Sequence, residues 1–160
     1  MTNRITLLAI GAGILLTVGI ILVVHHRGKT SASPSPSVSS KQLLTRESWS
    51  FAGYATPEAA LESGYWAENK GDFQALLNSV TPEYRSQIEK HGETQSEDER
   101  AANMQKEAVQ VAAYQVVSNE AVSADECILH IYSPRLGKGK VTLKKIANEW
   151  RWDGDIKADK

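Results

Sequence analysis

Between Thr56 and Glu83 the chain reads TPEAALESGYWAENKGDFQALLNSVTPE, two helices and the opening of a third, and this order of signals narrows the folds open to everything downstream. Thr56 is a helix-capping residue, and Pro57 follows it at the first helical position, where its φ is preset and its missing N–H would have gone unsatisfied anyway. Lys70-Gly71 closes that helix. Asp72 then caps a second one, in which Phe73, Leu76, Leu77 and Val80 recur at i, i+3, i+4 and i+7 and so share a face. Thr81-Pro82-Glu83 repeats the opening signal. The stretch speaks for a fold and names neither a ligand nor a reaction.

At 160 residues and 41% hydrophobic content, the chain has room for one ordinary domain and an appendage. Cys127 is the single cysteine, so an intramolecular disulfide and a multi-cysteine metal site are both excluded; it reads as a small buried hydrophobe. Net charge is −1, but all 19 acidic residues lie from Glu47 onward, against 13 basic ones there, so that part carries −6. An acidic domain without a basic aromatic stripe is a poor partner for phosphate backbones, and nucleic-acid binding is not expected. No metal-ligand spacing, phosphate-binding glycine loop or nucleophile elbow is present, and no cofactor is expected.

Upstream, Ile5 to Val24 (ITLLAIGAGILLTVGIILVV) is uncharged and about the length that a helix needs to cross hydrocarbon. The rival reading is a cleaved signal peptide, whose apolar region is shorter, about 7–15 residues, and ends at a small-residue site. Here the run is followed by His25-His26-Arg27-Gly28-Lys29, and an uncleaved anchor is the expectation. The implied organisation is a tail over residues 1–4, a transmembrane helix over 5–25, a tether over 26–46, the folded domain over 47–157 and a tail over 158–160. Thr30 to Gln42 (TSASPSPSVSSKQ) is Ser- and Pro-rich with little to bury, which suits a spacer. The Lys and Arg bias across the apolar run is nearly nil; the arrangement expected of a signal anchor is a single-pass protein with an extracytoplasmic domain. Ala9, Gly13 and Thr17 form a small-residue face that could pair two helices into a homodimer, and the tandem His25-His26 suits an interfacial position better than a metal.

Leu43 to Tyr54 reads as an extended lead-in whose Trp49, Phe51 and Tyr54 pack on the domain. After the three opening helices, His91-Gly92 is a stop, and Ser96-Glu97-Asp98-Glu99 is a capping box for a solvated helix carrying Ala101, Met104 and Ala108 on its apolar side. From Val109 the texture becomes β. Strands are predicted over Val109–Val117, Cys127–Tyr132, Lys140–Ile146 and Glu149–Ile156, joined by short links at residues 133–137 and 147–148 as an antiparallel meander. Val141 and Leu143 then share a face, as do Trp150 and Trp152. Helices first and antiparallel strands afterwards make an α+β domain with its helices packed against the sheet.

The run Thr56-Pro57-Glu58-Ala59-Ala60, then Ala67, Gly71-Asp72, Leu76-Leu77 and Thr81-Pro82-Glu83, closing with Trp150-Arg151-Trp152-Asp153, resembles the nuclear transport factor 2-like superfamily, which includes SnoaL-like and lumazine-binding-like proteins. The resemblance covers roughly residues 56–156. It implies a cystatin-like cone, N-terminal helices packed on a curved antiparallel sheet with a pocket between them. The sequence departs from the pattern at Gly64, where a large apolar side chain is usual, leaving Tyr65 and Trp66 to fill the space.

Enzymes of that superfamily use an Asp or His in the cone, which directs attention here to His130 and Asp153 as general bases of a small lyase or isomerase. If the face of Ile128, His130 and Tyr132 is concave, His130 lines the pocket; if it is convex, Cys127, Leu129 and Ile131 form the core. The second arrangement fits burial better, and Asp153 with Asp155 around Gly154 suits a turn. The expectation is therefore a membrane-anchored, non-enzymatic binding domain for a small molecule or an envelope protein. Tyr65, Trp66, Tyr84 and Trp150 are its pocket residues, or core aromatics if the interior is closed.

Overall fold

The computed structural model describes residues 42–154 and 156–158. The expected anchor, residues 1–4 ahead of it and the tether as far as Lys41 lie outside the described residues, as do residues 159–160 of the tail. Strand β1 (Leu44–Thr45) and a 3₁₀ turn (Arg46–Ser48) precede helices α1 (Pro57–Lys70), α2 (Phe73–Ser79), α3 (Pro82–Gly92) and α4 (Glu97–Val111). Strands β2 (Ala113–Ala121), β3 (Glu126–Ser133), β4 (Gly137–Ile146), β5 (Glu149–Trp152) and β6 (Lys157–Ala158) follow. No helix among the described residues is long and apolar enough to cross a membrane.

Each helix starts where a polar side chain can take its first free N–H. Thr56 Oγ1 accepts from Ala59 N at 3.2 Å, Asp72 Oδ1 from Ala75 N at 2.9 Å and Thr81 Oγ1 from Tyr84 N at 3.3 Å. Ser96 and Glu99 complete the capping box in both directions, which also holds the Glu99 carboxyl below the usual range. Between α1 and α2 the chain turns at Gly71, φ 69°, with the Ala101 Cβ so close that an added Cβ would sit 3.0 Å from it.

The strand expected over Val109–Val117 begins later, because α4 continues to Val111. Met104, Ala108 and Val111 fall on one buried helical stripe, and that packing outweighs the β preference of Val109 and Val111. The helix stops at Ala112, φ 56° and ψ −42°, an unfavourable backbone for a non-glycine residue. The last strand is also shorter than expected: β5 ends at Trp152, and after Gly154 (φ 125°) the chain re-enters the same edge of β4 as β6.

The strands form a curled antiparallel sheet in the order β1-β2-β3-β4-β5, with β6 also on β4 and a register shift between Val116 and Ser118 on β2. Ala147 and Asn148, both at positive φ, make the two-residue turn between β4 and β5. The helices bury the sheet's inner face. Leu129, Val141 and Leu143 are fully covered, and Trp49 and Trp152 flank Tyr65, whose ring centroid lies 4.7 Å from that of Tyr114. Trp49 arrives on the lead-in, whose Ala52 N–H donates to Ser63 Oγ on α1; β1 ahead of it pairs with Ala113 and Tyr114, bringing residues 44–45 into the sheet. Trp152 arrives on β5, and its indole lies against Gly64, where an added Cβ would stand 2.5 Å from the ring. The space that a large side chain would take at Gly64 is thus occupied from the opposite layer.

Candidate functional site

Thr81 joins the helical layer to the sheet. Its N–H donates to Trp152 O at 2.7 Å, and its hydroxyl donates to Asp153 Oδ1 at 2.9 Å while capping α3. This fixes the first turn of α3 beside the end of β5. Farther along, Arg100 Nη1 on α4 donates to Gly92 O and Gln95 O at 3.3 and 2.9 Å, and the guanidinium lies 4.8 Å from the Phe73 ring centroid. Held at both places, α3 and α4 wall a cavity of about 640 Å³, with α1, α2 and Trp152 completing it. Phe73, Leu76, Ile88 and Met104 give it an apolar part, Gln87, Gln95, Asn103 and Gln110 line it with amides, and Glu68, His91, Arg100 and Glu107 are its titratable lining groups besides Tyr84 and Lys106.

Two lining residues bring N–H groups that are buried without a protein partner, Trp152 Nε1 and Arg100 Nε. Trp152 is 4% exposed. Behind it the Tyr65 and Tyr114 hydroxyls are likewise buried without partners. An unmade hydrogen bond at a buried donor is costly, and native interiors hold few of them. Glu68 stands at the same place. It is half-buried as a residue, and burial of its carboxyl, with the Glu107 charge as a second cause, pushes its pKa up to about 8. Burial first, then the Glu68 and Tyr114 charges, raises the Tyr65 phenol well above its ordinary value. Near neutral pH the cavity is therefore lined by a protonated carboxyl and by two residues, Trp152 and Arg100, that each carry a buried N–H without a protein partner.

The aromatic residues singled out in the sequence are not brought together. Tyr84 lines this cavity, whereas Tyr65 lies in the stacked core behind it. Trp66 lines a second, more open groove of about 770 Å³, shared with Phe51, Tyr54 and Arg151. Trp150 borders neither; the Lys145 ammonium lies 5.9 Å from its ring centroid. His130 is on the outer face of β3 with Nε2 3.0 Å from Glu120 Oε2, while Cys127, Leu129 and Ile131 are buried. Asp153 is paired with Lys144 at 2.7 Å, outside the cavity lining. Cys127 is inert, its thiol pushed up to about 12 by burial and by the charges of Glu58 and Glu126. No cluster of three or more His, Cys, Asp or Glu able to hold a metal occurs among the described residues.

Glu68, Arg100 and the N–H of Trp152 were missed as site groups. One signal was there to be read. Leu61, Gly64, Tyr65 and Glu68 fall at i, i+3, i+4 and i+7, which places a carboxylate in line with the buried stripe of α1. Compared with protein-family models, curated proteins and solved structures, the chain returns no match.

Proposed function

We propose that the domain is a membrane-tethered, non-enzymatic binding module of the nuclear transport factor 2-like cone type, and that it holds a small amphipathic molecule with an apolar ring and a hydrogen-bond acceptor. The observation that carries this is Trp152, whose buried indole N–H has no protein partner beside a cavity of about 640 Å³. Small-molecule sites are usually concave spaces of this size, and here Phe73, Leu76, Ile88 and Met104 supply apolar contact within a lining that is otherwise mostly polar. The order of helices before a curled antiparallel sheet supports the cone assignment, and the apolar run Ile5 to Val24 supports anchoring in a lipid bilayer; the extracytoplasmic side for the domain is the usual arrangement of a signal anchor. An envelope protein or a second copy of the chain, docked elsewhere on the domain, would be compatible with the same site.

The test is titration of the full chain with three naphthalenes of one shape, 2-acetylnaphthalene, 2-naphthylmethylamine and 2-naphthoate, followed by calorimetry. The neutral ketone binds best, and Trp152→Phe, which keeps the ring and deletes the N–H, weakens it by roughly tenfold, the value of one hydrogen bond. Absence of binding by all three removes the reading, and preference for the amine or the carboxylate reverses the ligand chemistry.

A second reading is a lyase or isomerase. Its sequence-level bases, His130 and Asp153, lie outside the cavity, so what favours it is Glu68, a carboxyl raised into the range where a group both gives and takes protons near neutrality. Turnover lost in Glu68→Gln, with a pH profile centred near the Glu68 pKa, would be its signature.

A further inference from the structure

The hairpin of β3 and β4 departs in charge from the acidic domain around it. Between Glu126 and Glu149 there is no Asp or Glu, while Arg135, Lys138, Lys140, Lys144 and Lys145 all fall there. Alternation sorts them. Gly139, Val141 and Leu143 of β4 are buried, so Lys138, Lys140 and Lys144 stand on the outer face. Tyr132 lies opposite Lys138 in the register, and β6 sets Lys157 opposite Lys140. Lys144 is bound to Asp153 and Lys140 has an interaction of its own. Arg135, Lys138 and Lys157 are exposed cations at this end of the sheet, Arg135 also donating from Nη1 to Val109 O at 2.9 Å.

Among them stands an apolar tip. Leu136 is 57% exposed and Tyr132 40%. The turn that presents Leu136 is fixed, because Ser133 Oγ accepts the N–H groups of Arg135 and Leu136 and donates to Val111 O at 3.0 Å. One exposed leucine is ordinary in a protein surface. Set on a rigid turn beside a tyrosine and three cations, it matches a bilayer interface, where an apolar tip meets acyl chain, a phenol sits at headgroup level and ammonium groups meet phosphate.

We propose that this hairpin docks on an anionic lipid surface, with Leu136 entering the headgroup boundary and Arg135, Lys138 and Lys157 facing lipid phosphates. Nucleic acid, the other extended polyanion, would use the cations and leave Leu136 in water. The docking stands independently of any occupant of the cavity on the far side of the sheet. The expected anchor would keep such a surface within reach, but the hairpin chemistry is what selects anionic lipid.

The experiment uses the full chain with Leu136→Cys carrying a nitrobenzoxadiazole label, Cys127 being buried and so protected from labelling. The protein is incorporated into vesicles of phosphatidylcholine, with and without phosphatidylglycerol. The label's emission moves to the blue, and nitroxide lipids quench it, only where phosphatidylglycerol is present, and the response fades at high salt. Converting Arg135, Lys138 and Lys157 together to Gln abolishes it, roughly a hundredfold loss at about fivefold for each charge removed. Unchanged thermal unfolding certifies that variant; if it does not fold, Lys138→Gln alone lowers docking by about fivefold. A label that stays in water with both lipids, one that responds equally to both, or one that responds to an oligonucleotide in place of phosphatidylglycerol overturns the proposal.

Discussion

The Glu68 carboxyl is uncharged in the folded domain until its pKa of about 8, whereas in the unfolded chain it ionises near 4.5. Between those values the folded state holds a proton that the unfolded state has released, so stability is full below pH 4.5 and falls as pH rises toward 8. Glu68→Gln, which keeps the shape and cannot ionise, flattens that slope; chemical unfolding at pH 8.5 should find the variant the more stable of the two, with the advantage gone at pH 4. Gly64 is constrained by contact and not by φ. An added methyl would meet the Trp152 indole at 2.5 and 2.7 Å, a ring that Tyr65 also contacts edge-on at 5.3 Å between centroids. Gly64→Ala should therefore cost roughly 2 kcal/mol in denaturant midpoint despite the better helix propensity of alanine, and should shift the near-ultraviolet signal of the aromatic core.

At the level of elements, the caps were the legible part. Thr56, Asp72, Thr81 and Ser96 each begin a helix, because a cap is local chemistry between a side chain and an N–H three residues on. The strand signals of residues 127–132 and 140–146 were equally direct, since one face is buried and alternation reports it. The boundary at Val109–Val111 was not, because Val109-Gln110-Val111 fits a helix and a strand alike, and only packing decides between them. The cavity was least legible of all. Its polar groups come from α1, α4 and β5, and nothing in their spacing along the chain reveals that Glu68, Arg100 and Trp152 border one space. The junction that moved the boundary makes its own prediction. Ala112 holds φ at 56° between α4 and β2, so Ala112→Gly should raise stability by about 1 kcal/mol in thermal or urea unfolding, with no other contact changed.

Across the whole molecule, the lead-in is structural and not a spacer. Trp49, 5% exposed, stacks on Tyr65 with centroids 5.0 Å apart, donates its Nε1–H to Leu44 O, and so couples β1 and the 3₁₀ turn to the core of the helical layer. Trp49→Ala should cost about 3–5 kcal/mol and release the first dozen described residues, visible as fast amide exchange in residues 44–53 and at Ala113 and Tyr114. Trp152 is the counterpart at the other end of the chain, seated beside the cavity while its carbonyl takes the N–H that starts α3. Of the four indoles it alone borders that space. The protein therefore comes with its own lamp: once Trp66 and Trp150 are replaced by phenylalanine and Trp49 is kept as a constant background, the colour of the remaining emission tells directly whether the chamber is wet or filled.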